Sequence, residues 1–86
     1  MPVYKITFAR SARKELEALP AKVAERILEK IESLAEYARP AGCKKLSGVM
    51  GLWRLRVGQY RIIYKIDDDN RTIDVVIIRH RRDVYR

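Results

Sequence analysis

Tyr4, Ile6 and Phe8 alternate with Lys5 and Thr7 at the start of the chain. That period of two belongs to a half-buried strand. The period then lengthens. In "ARSARKELEALP", Ala12, Leu16 and Leu19 fall on one helical face, with Ser11 as candidate N-cap. Pro20 stops this helix and suits the first turn of the next. The second helix carries the strongest pattern. Val23, Ile27, Ile31, Leu34 and Ala38 recur at helical spacing with Leu28 and Ala35 beside them. Glu25, Glu29, Glu32, Glu36, Arg26 and Lys30 take the other positions. Such a stripe is a core-packing surface. Pro40 and Gly42 end the helix around Arg39, because the residue before a proline is driven out of helical geometry.

Beyond the helices the period returns to two. "CKKLSGVMG" reads as a basic, glycine-punctuated loop with a short strand at Lys44–Leu46. "GLWRLRVGQYRIIYKI" reads as two strands around a tight turn at Gly58-Gln59, since a Gly-X pair suits a type II′ hairpin. "DDDN" at 67–70 marks a second turn, and "TIDVVIIRH" is the last strand. Its continuous Val75-Val76-Ile77-Ile78 predicts burial on both faces. The order β-α-α-β-β-β defines an α+β domain: an antiparallel sheet with the two N-terminal helices packed on one face. The last three strands form a meander, and the first strand is placed beside the last. Residues 1–86 make one domain.

The hairpin carries the candidate chemistry. With Gly58 and Gln59 as the loop, Val57 faces Tyr60, Leu55 faces Ile62 and Trp53 faces Tyr64. These pairs form an apolar face for the helices. The other face sets Arg56 opposite Arg61, with Arg54 a diagonal neighbour of Arg61 roughly 7–8 Å away at the backbone. Lys65 lies further along. A one-residue slip would turn the arginines inward, so the core fixes this register. Like charges facing each other destabilise a sheet. The same cluster is a site for an anion, because guanidinium forks bind phosphate oxygens in a bidentate way. The alternative is neutralisation by the acidic loop at 67–69.

Charge sharpens this picture. The net charge is +8, and it is unevenly divided: residues 1–38 hold seven Lys/Arg and six Asp/Glu, residues 39–86 twelve and five. The positive field therefore belongs to the second half and attracts polyanions. One cysteine, Cys43, excludes an intramolecular disulfide and suits a reducing cytoplasm. One Cys and one His make no metal cage of the usual kind, and no cofactor is implied. The longest apolar run, Val75 to Ile78, is too short for a membrane span, and the N-terminus lacks a signal-peptide core. In the tail, His80 adds an imidazole, Arg79, Arg81 and Arg82 add cationic donors, and Tyr85 adds a ring able to stack on a base.

"KKLSG", "GLWRLRVGQYRIIYKID" and "RHRRDVYR", in this order behind a strand and two helices, resemble the RelE toxins of the RelE/ParE superfamily. The resemblance covers essentially the whole chain. It implies a cytoplasmic toxin of a toxin–antitoxin pair that cuts mRNA in the ribosomal A site. There the 2′-OH attacks the adjacent phosphodiester, leaving a 2′,3′-cyclic phosphate and a free 5′-OH. By the same resemblance Arg54, Arg56 and Arg61 bind and stabilise the phosphate. Arg81 is the arginine after the last strand, proposed as general acid, with Arg79 or Arg82 as substitutes, and Tyr85 orients the nucleotide. Lys44 and Lys45 fall in the basic RNA-contacting loop, and Lys65, Arg79 and Arg82 extend that surface. Arginine keeps its proton, so Arg54 and Arg56 cannot serve as general base. His80 or Tyr85 takes that role, or the site works by stabilising charge. The implied partners are the ribosome, mRNA and a RelB-like antitoxin in a hetero-oligomer. The alternatives are a non-catalytic ParE-like poison of DNA gyrase and a plain RNA-binding module.

Overall fold

The alternating and helical segments fold into β1 (Lys5–Phe8), α1 (Arg10–Glu17), α2 (Ala21–Ser33), β2 (Lys44–Lys45), β3 (Leu52–Val57), β4 (Tyr60–Asp67) and β5 (Thr72–His80). The structure is a computed structural model and describes residues 3–46 and 51–80. The strands form one sheet in the order β1-β5-β4-β3-β2. Strands β2 to β5 pair antiparallel with their neighbours. β1 lies beside β5, as expected, but runs parallel to it. The sheet is therefore mixed rather than wholly antiparallel. No hairpin joins β1 to β5, so nothing imposes the antiparallel direction there.

The helices cover one face. Ala12 of α1, Ile27 and Ile31 of α2, and Leu34 beyond it are fully buried against Leu55, Ile62, Tyr64, Ile66, Ile73, Val75 and Ile78. The Tyr64 hydroxyl donates to the Ala38 carbonyl at 2.9 Å, which satisfies a polar group that the core would otherwise penalise. α2 ends at Ser33, earlier than the apolar stripe suggests. Leu34, Ala35 and Glu36 donate to carbonyls three residues back, so the chain tightens into turns. The Ala35 carbonyl is taken by the Tyr4 amide at 2.9 Å, which ties this end to the entry of β1. Leu34 and Ala38 stay in the core even though the helix has ended. Ser11 is not the N-cap of α1: that position is Ala9, and the Ser11 hydroxyl donates to the Val76 carbonyl at 3.3 Å.

The carbonyl of Val76 belongs to an irregularity that the apolar run concealed. Tyr64 pairs with Val75, but Ile63 pairs with Ile77, leaving Val76 as a β-bulge. Val75 and Ile78 are fully buried and Val76 and Ile77 only partly so. The run is thus not buried on both faces. It contains a phase change, with residues on either side of the bulge serving the same core.

Candidate functional site: an arginine row on the open face of the sheet

The β3–β4 hairpin has the expected register: Trp53 faces Tyr64, Leu55 faces Ile62, Val57 faces Tyr60, and Arg56 faces Arg61. Gly58 sits at φ +59°. Gln59 does not have positive φ, which is the type II′ combination. In such a turn Val57 and Tyr60 exchange hydrogen bonds, so Arg56 and Arg61 are a non-hydrogen-bonded pair with Cα atoms about 4.5 Å apart.

The bulge adds a third cation to this row. Between the turn and Tyr64, β4 and β5 pair as Asp67–Thr72 through Tyr64–Val75; past the bulge they pair as Arg61–Arg79 and Tyr60–His80. Without Val76 to absorb a residue, Arg79 would turn to the helix face. With it, Arg56, Arg61 and Arg79 stand side by side across three strands, spanning on the order of 10 Å at the backbone. Arg79 is the member that sequence reasoning left among the tail cations. The signal for it was the bulge, which an unbroken apolar run does not announce.

The next row along the sheet is Lys44, Arg54, Ile63 and Ile77. Arg54 Nε is buried and has no hydrogen-bond partner among the described residues. A buried donor left in that state favours an incoming acceptor. A small recess of about 60 Å³ opens beside the hairpin tip between Arg56, Gly58, Gln59, Tyr60 and Arg61. Lys65 lies one row further, paired with Leu52 and Asp74. Lys45 pairs with Trp53 and so belongs to the other phase, three residues along β3 from the Arg56 row. His80 also lies in the helix-side phase. Its ring meets Tyr60 edge-on, with centroids 5.1 Å apart and planes at 86°. The sheet thus brings together Arg54, Arg56, Arg61, Arg79 and Lys44, and separates His80 and Lys45 from them. Arg81, Arg82 and Tyr85 lie outside the described residues.

The acidic loop does not neutralise the row, because its contacts lie elsewhere. Asp68 accepts from Arg39 at 2.8 Å and from the Tyr4 hydroxyl at 2.5 Å. These bonds, Arg39 first, hold its carboxyl below the usual range, and Asp68 in turn holds the Arg39 guanidinium in its charged form. Asp67 accepts from the side chain of Asn70 at 2.8 Å, which also lowers its pKa. Asp74 accepts from Thr7 at 2.7 Å. Among the described residues no cluster of three or more His, Cys, Asp or Glu has the arrangement of a metal site. Nor is any described helix long and apolar enough to cross a membrane.

With this geometry in place, comparison with known proteins is informative. The family model for the ParE toxin of type II toxin–antitoxin systems, parDE, matches residues 6–85. Toxin RelG of Mycobacterium tuberculosis is 30% identical over 84 residues, covering 96% of this chain and 97% of RelG. In the archaeal RelE–RelB complex from Pyrococcus horikoshii OT3, one chain superposes with a TM-score of 0.82 at 27% identity, over 92% of this chain and 96% of that one. The toxin–antitoxin complex RelBE2 of Mycobacterium tuberculosis gives a TM-score of 0.79 at 28% identity, over 91% and 98%. The matching family model and relatives make this chain a toxin of the type II toxin–antitoxin class. The chain belongs to the RelE/ParE family.

Proposed function

We propose that this chain is a ribosome-dependent endoribonuclease that halts translation by cutting mRNA in the A site. The observation that carries the reading is the Arg56–Arg61–Arg79 row with Arg54 beside it, on the face away from the described helices. Like-charge neighbours cost stability, and an anion placed among them offsets that cost. A phosphodiester is the anion whose oxygens match guanidinium forks.

In the proposed reaction the 2′-oxygen forms a bond to the adjacent phosphorus and the bond from phosphorus to the 5′-oxygen breaks. The products are a 2′,3′-cyclic phosphate and a 5′-hydroxyl. The 2′-OH releases its proton to solvent water and the departing 5′-oxygen takes one from solvent water, so the step is proton-neutral. Arg54, Arg56 and Arg61 bind the phosphate and stabilise charge that grows on its oxygens in the transition state. Arg81, or Arg79 or Arg82 in its place, donates a hydrogen bond toward the leaving oxygen, and Tyr85 orients the nucleotide; Arg79 already pairs with Arg61 in the row. His80 faces the helix side, so the reading rests on charge stabilisation and not on a histidine base. Alignment of the 2′-OH with the leaving oxygen supplies roughly 7–11 kcal/mol in favourable cases. If the ribosome imposes that alignment, free RNA is a poor substrate.

The reading also assigns a cytoplasmic location and a RelB-like antitoxin, since the similar structures are RelE–RelB and RelBE complexes. Primer extension on mRNA from expressing cells, wild type against Arg61→Ala, tests it. Cuts at codon spacing that vanish in the variant support the nuclease. Arrest without cuts, accompanied by DNA damage, would identify a gyrase poison instead.

A further inference from the structure

One recess lies apart from the arginine row. At the start of β3 a cleft of about 630 Å³ opens beside the end of β4 and the acidic turn, with Arg39, Lys45, Gly51, Trp53, Lys65 and Asp69 on its walls. Lys65 is four residues along β4 from Arg61, roughly 13 Å in a strand.

One wall is a stack. The Arg39 guanidinium carbon lies over Trp53, 5.0 Å from the ring centroid. Both terminal nitrogens of Arg39 donate to Asp68, at 2.8 and 3.4 Å. An end-on fork of this kind holds guanidinium and carboxylate near one plane. The Tyr4 hydroxyl donates to the same carboxylate and steadies it. The fork occupies the edge of the guanidinium and the indole one of its faces. The second face remains, and 40% of the Arg39 side chain is exposed. Guanidinium planes and aromatic rings are the surfaces on which unpaired bases stack.

The other walls supply separate charges. Gly51 has φ +80° and no side chain, and a Cβ there would lie 3.6 Å from Lys65 Cγ and 3.9 Å from Lys65 Cε. The Lys65 stem therefore runs along the glycine. Lys45, Lys65 and Asp69 are all exposed. A bare polyanion would meet the carboxylates of the turn here and gain more at the arginine row. An apolar segment would leave both ammonium groups and Asp69 without partners. A flat ring bearing N–H donors and one anionic group matches the whole cleft.

We propose that this cleft binds a single unpaired purine nucleotide, with its base stacked on the Arg39–Asp68 plane, its phosphate on Lys45 and Lys65, and an amino or ring N–H donating to Asp69. A purine covers more of a two-residue plane than a pyrimidine does, and uracil lacks the amine. What binds here binds by stacking on charges that are already paired. The chemistry is the same for a free nucleotide and for an extruded base of an RNA. The site stands whether or not the arginine row cuts RNA.

Trp53 is the only tryptophan, so its fluorescence, excited where adenine does not absorb, reports this cleft. AMP added to the full-length chain should quench it saturably and bind at least about fivefold tighter than UMP or adenosine. Arg39→Lys keeps a charge for Asp68 but removes the plane, and should weaken AMP at least about fivefold. Lys45→Ala/Lys65→Ala should bring AMP down to the affinity of adenosine and leave adenosine unchanged, a split that a merely distorted cleft would not give. Asp69→Ala should narrow the gap between AMP and UMP. An RNA hairpin with one bulged adenosine, compared with the fully paired hairpin, separates the sources. Preference for the bulged hairpin over AMP assigns the nucleotide to RNA, and the reverse order assigns it to the free pool; both support the site. Absence of saturable quenching by AMP and by the bulged hairpin overturns the proposal, as does equal binding of AMP and UMP. Quenching lost in Arg61→Ala but kept in Arg39→Lys would place the nucleotide on the arginine row and overturn it as well.

Discussion

The two ends of the sheet are built on opposite principles. At the end formed by the 67–71 turn, charges are laced together. Arg39 stacks over Trp53, with its guanidinium carbon 5.0 Å from the ring centroid, and pairs with Asp68. Tyr4 donates to the same carboxylate and lies under Arg71 at 5.9 Å. At the hairpin-tip end, Arg56, Arg61 and Arg79 are placed side by side across three strands. One end uses charge to join β1, β3 and the chain beyond α2. The other concentrates charge of one sign on a rigid surface. The difference separates a stability device from a binding device within one small sheet.

The strongest way to break this comparison is at the arginine row. Arg61→Ala should reduce mRNA cleavage at least about 100-fold, the scale of losing one aimed donor to a developing oxyanion. Its melting temperature should stay within about 5 °C of wild type, which corresponds to a change of roughly 1 kcal/mol in a domain this size. Primer extension and thermal unfolding measured together decide the matter: a large fall in both would make Arg61 structural. Arg56→Glu is the sharper variant, because it turns a like-charge pair into an opposite one. Cleavage should be lost while the hairpin gains a few tenths of a kcal/mol up to about 1 kcal/mol.

Substitution in the shared core should act the other way. Tyr64 is fully buried and its hydroxyl serves the Ala38 carbonyl. Burial raises its pKa far enough that it stays neutral throughout the ordinary range. Tyr64→Phe leaves that carbonyl without its donor and should cost about 1–3 kcal/mol. Chemical denaturation would show it. Cleavage per folded molecule at low temperature should be unchanged. Gly58→Ala should cost less, roughly 1–2 kcal/mol, through backbone alone. Gly58 has φ +59° and open space where a Cβ would go. A larger loss would mean that the turn sets the register more tightly than its geometry implies.

The binding end was legible in the sequence to the extent that local patterns determine it. The alternation of Trp53 to Tyr64 around a Gly-X turn fixes which side chains face the core, so the Arg56–Arg61 pair follows from one strand's neighbour. Arg79 does not follow in that way. Its place depends on a single extra residue, Val76, inside a run whose four side chains are all apolar. A bulge there costs no visible change in pattern, yet it decides the face of everything after it. The direction of β1 was unreadable for a related reason: its partner β5 is far away in sequence and no turn links them. The lacing of Arg39, Asp68 and Tyr4 was likewise hidden, because it joins residues from three distant segments. The acidic loop was the natural suspect for neutralising the arginines, and only the fold shows that its carboxylates point elsewhere.

The laced end gives the smallest effect, and it is testable by pH. Asp68 has its pKa lowered chiefly by the hydrogen bond from Arg39 and then by that from Tyr4. A carboxyl whose folded pKa lies below its unfolded value stabilises the fold fully above the unfolded value, about 3.9, and loses that contribution as pH falls through the folded value. Asp68→Asn should therefore melt slightly below wild type at pH 7, with the gap unchanged down to about pH 5. The gap should then close as the pH is lowered below 4, where wild type is protonated as well. Asp68 is exposed, so the difference is small and should shrink in high salt. A gap that persisted at pH 2 would mean that the side chain's shape, and not its charge, holds this end together. The proposed division of the sheet into a charge-paired end and a charge-concentrating end would then fail at its weaker half.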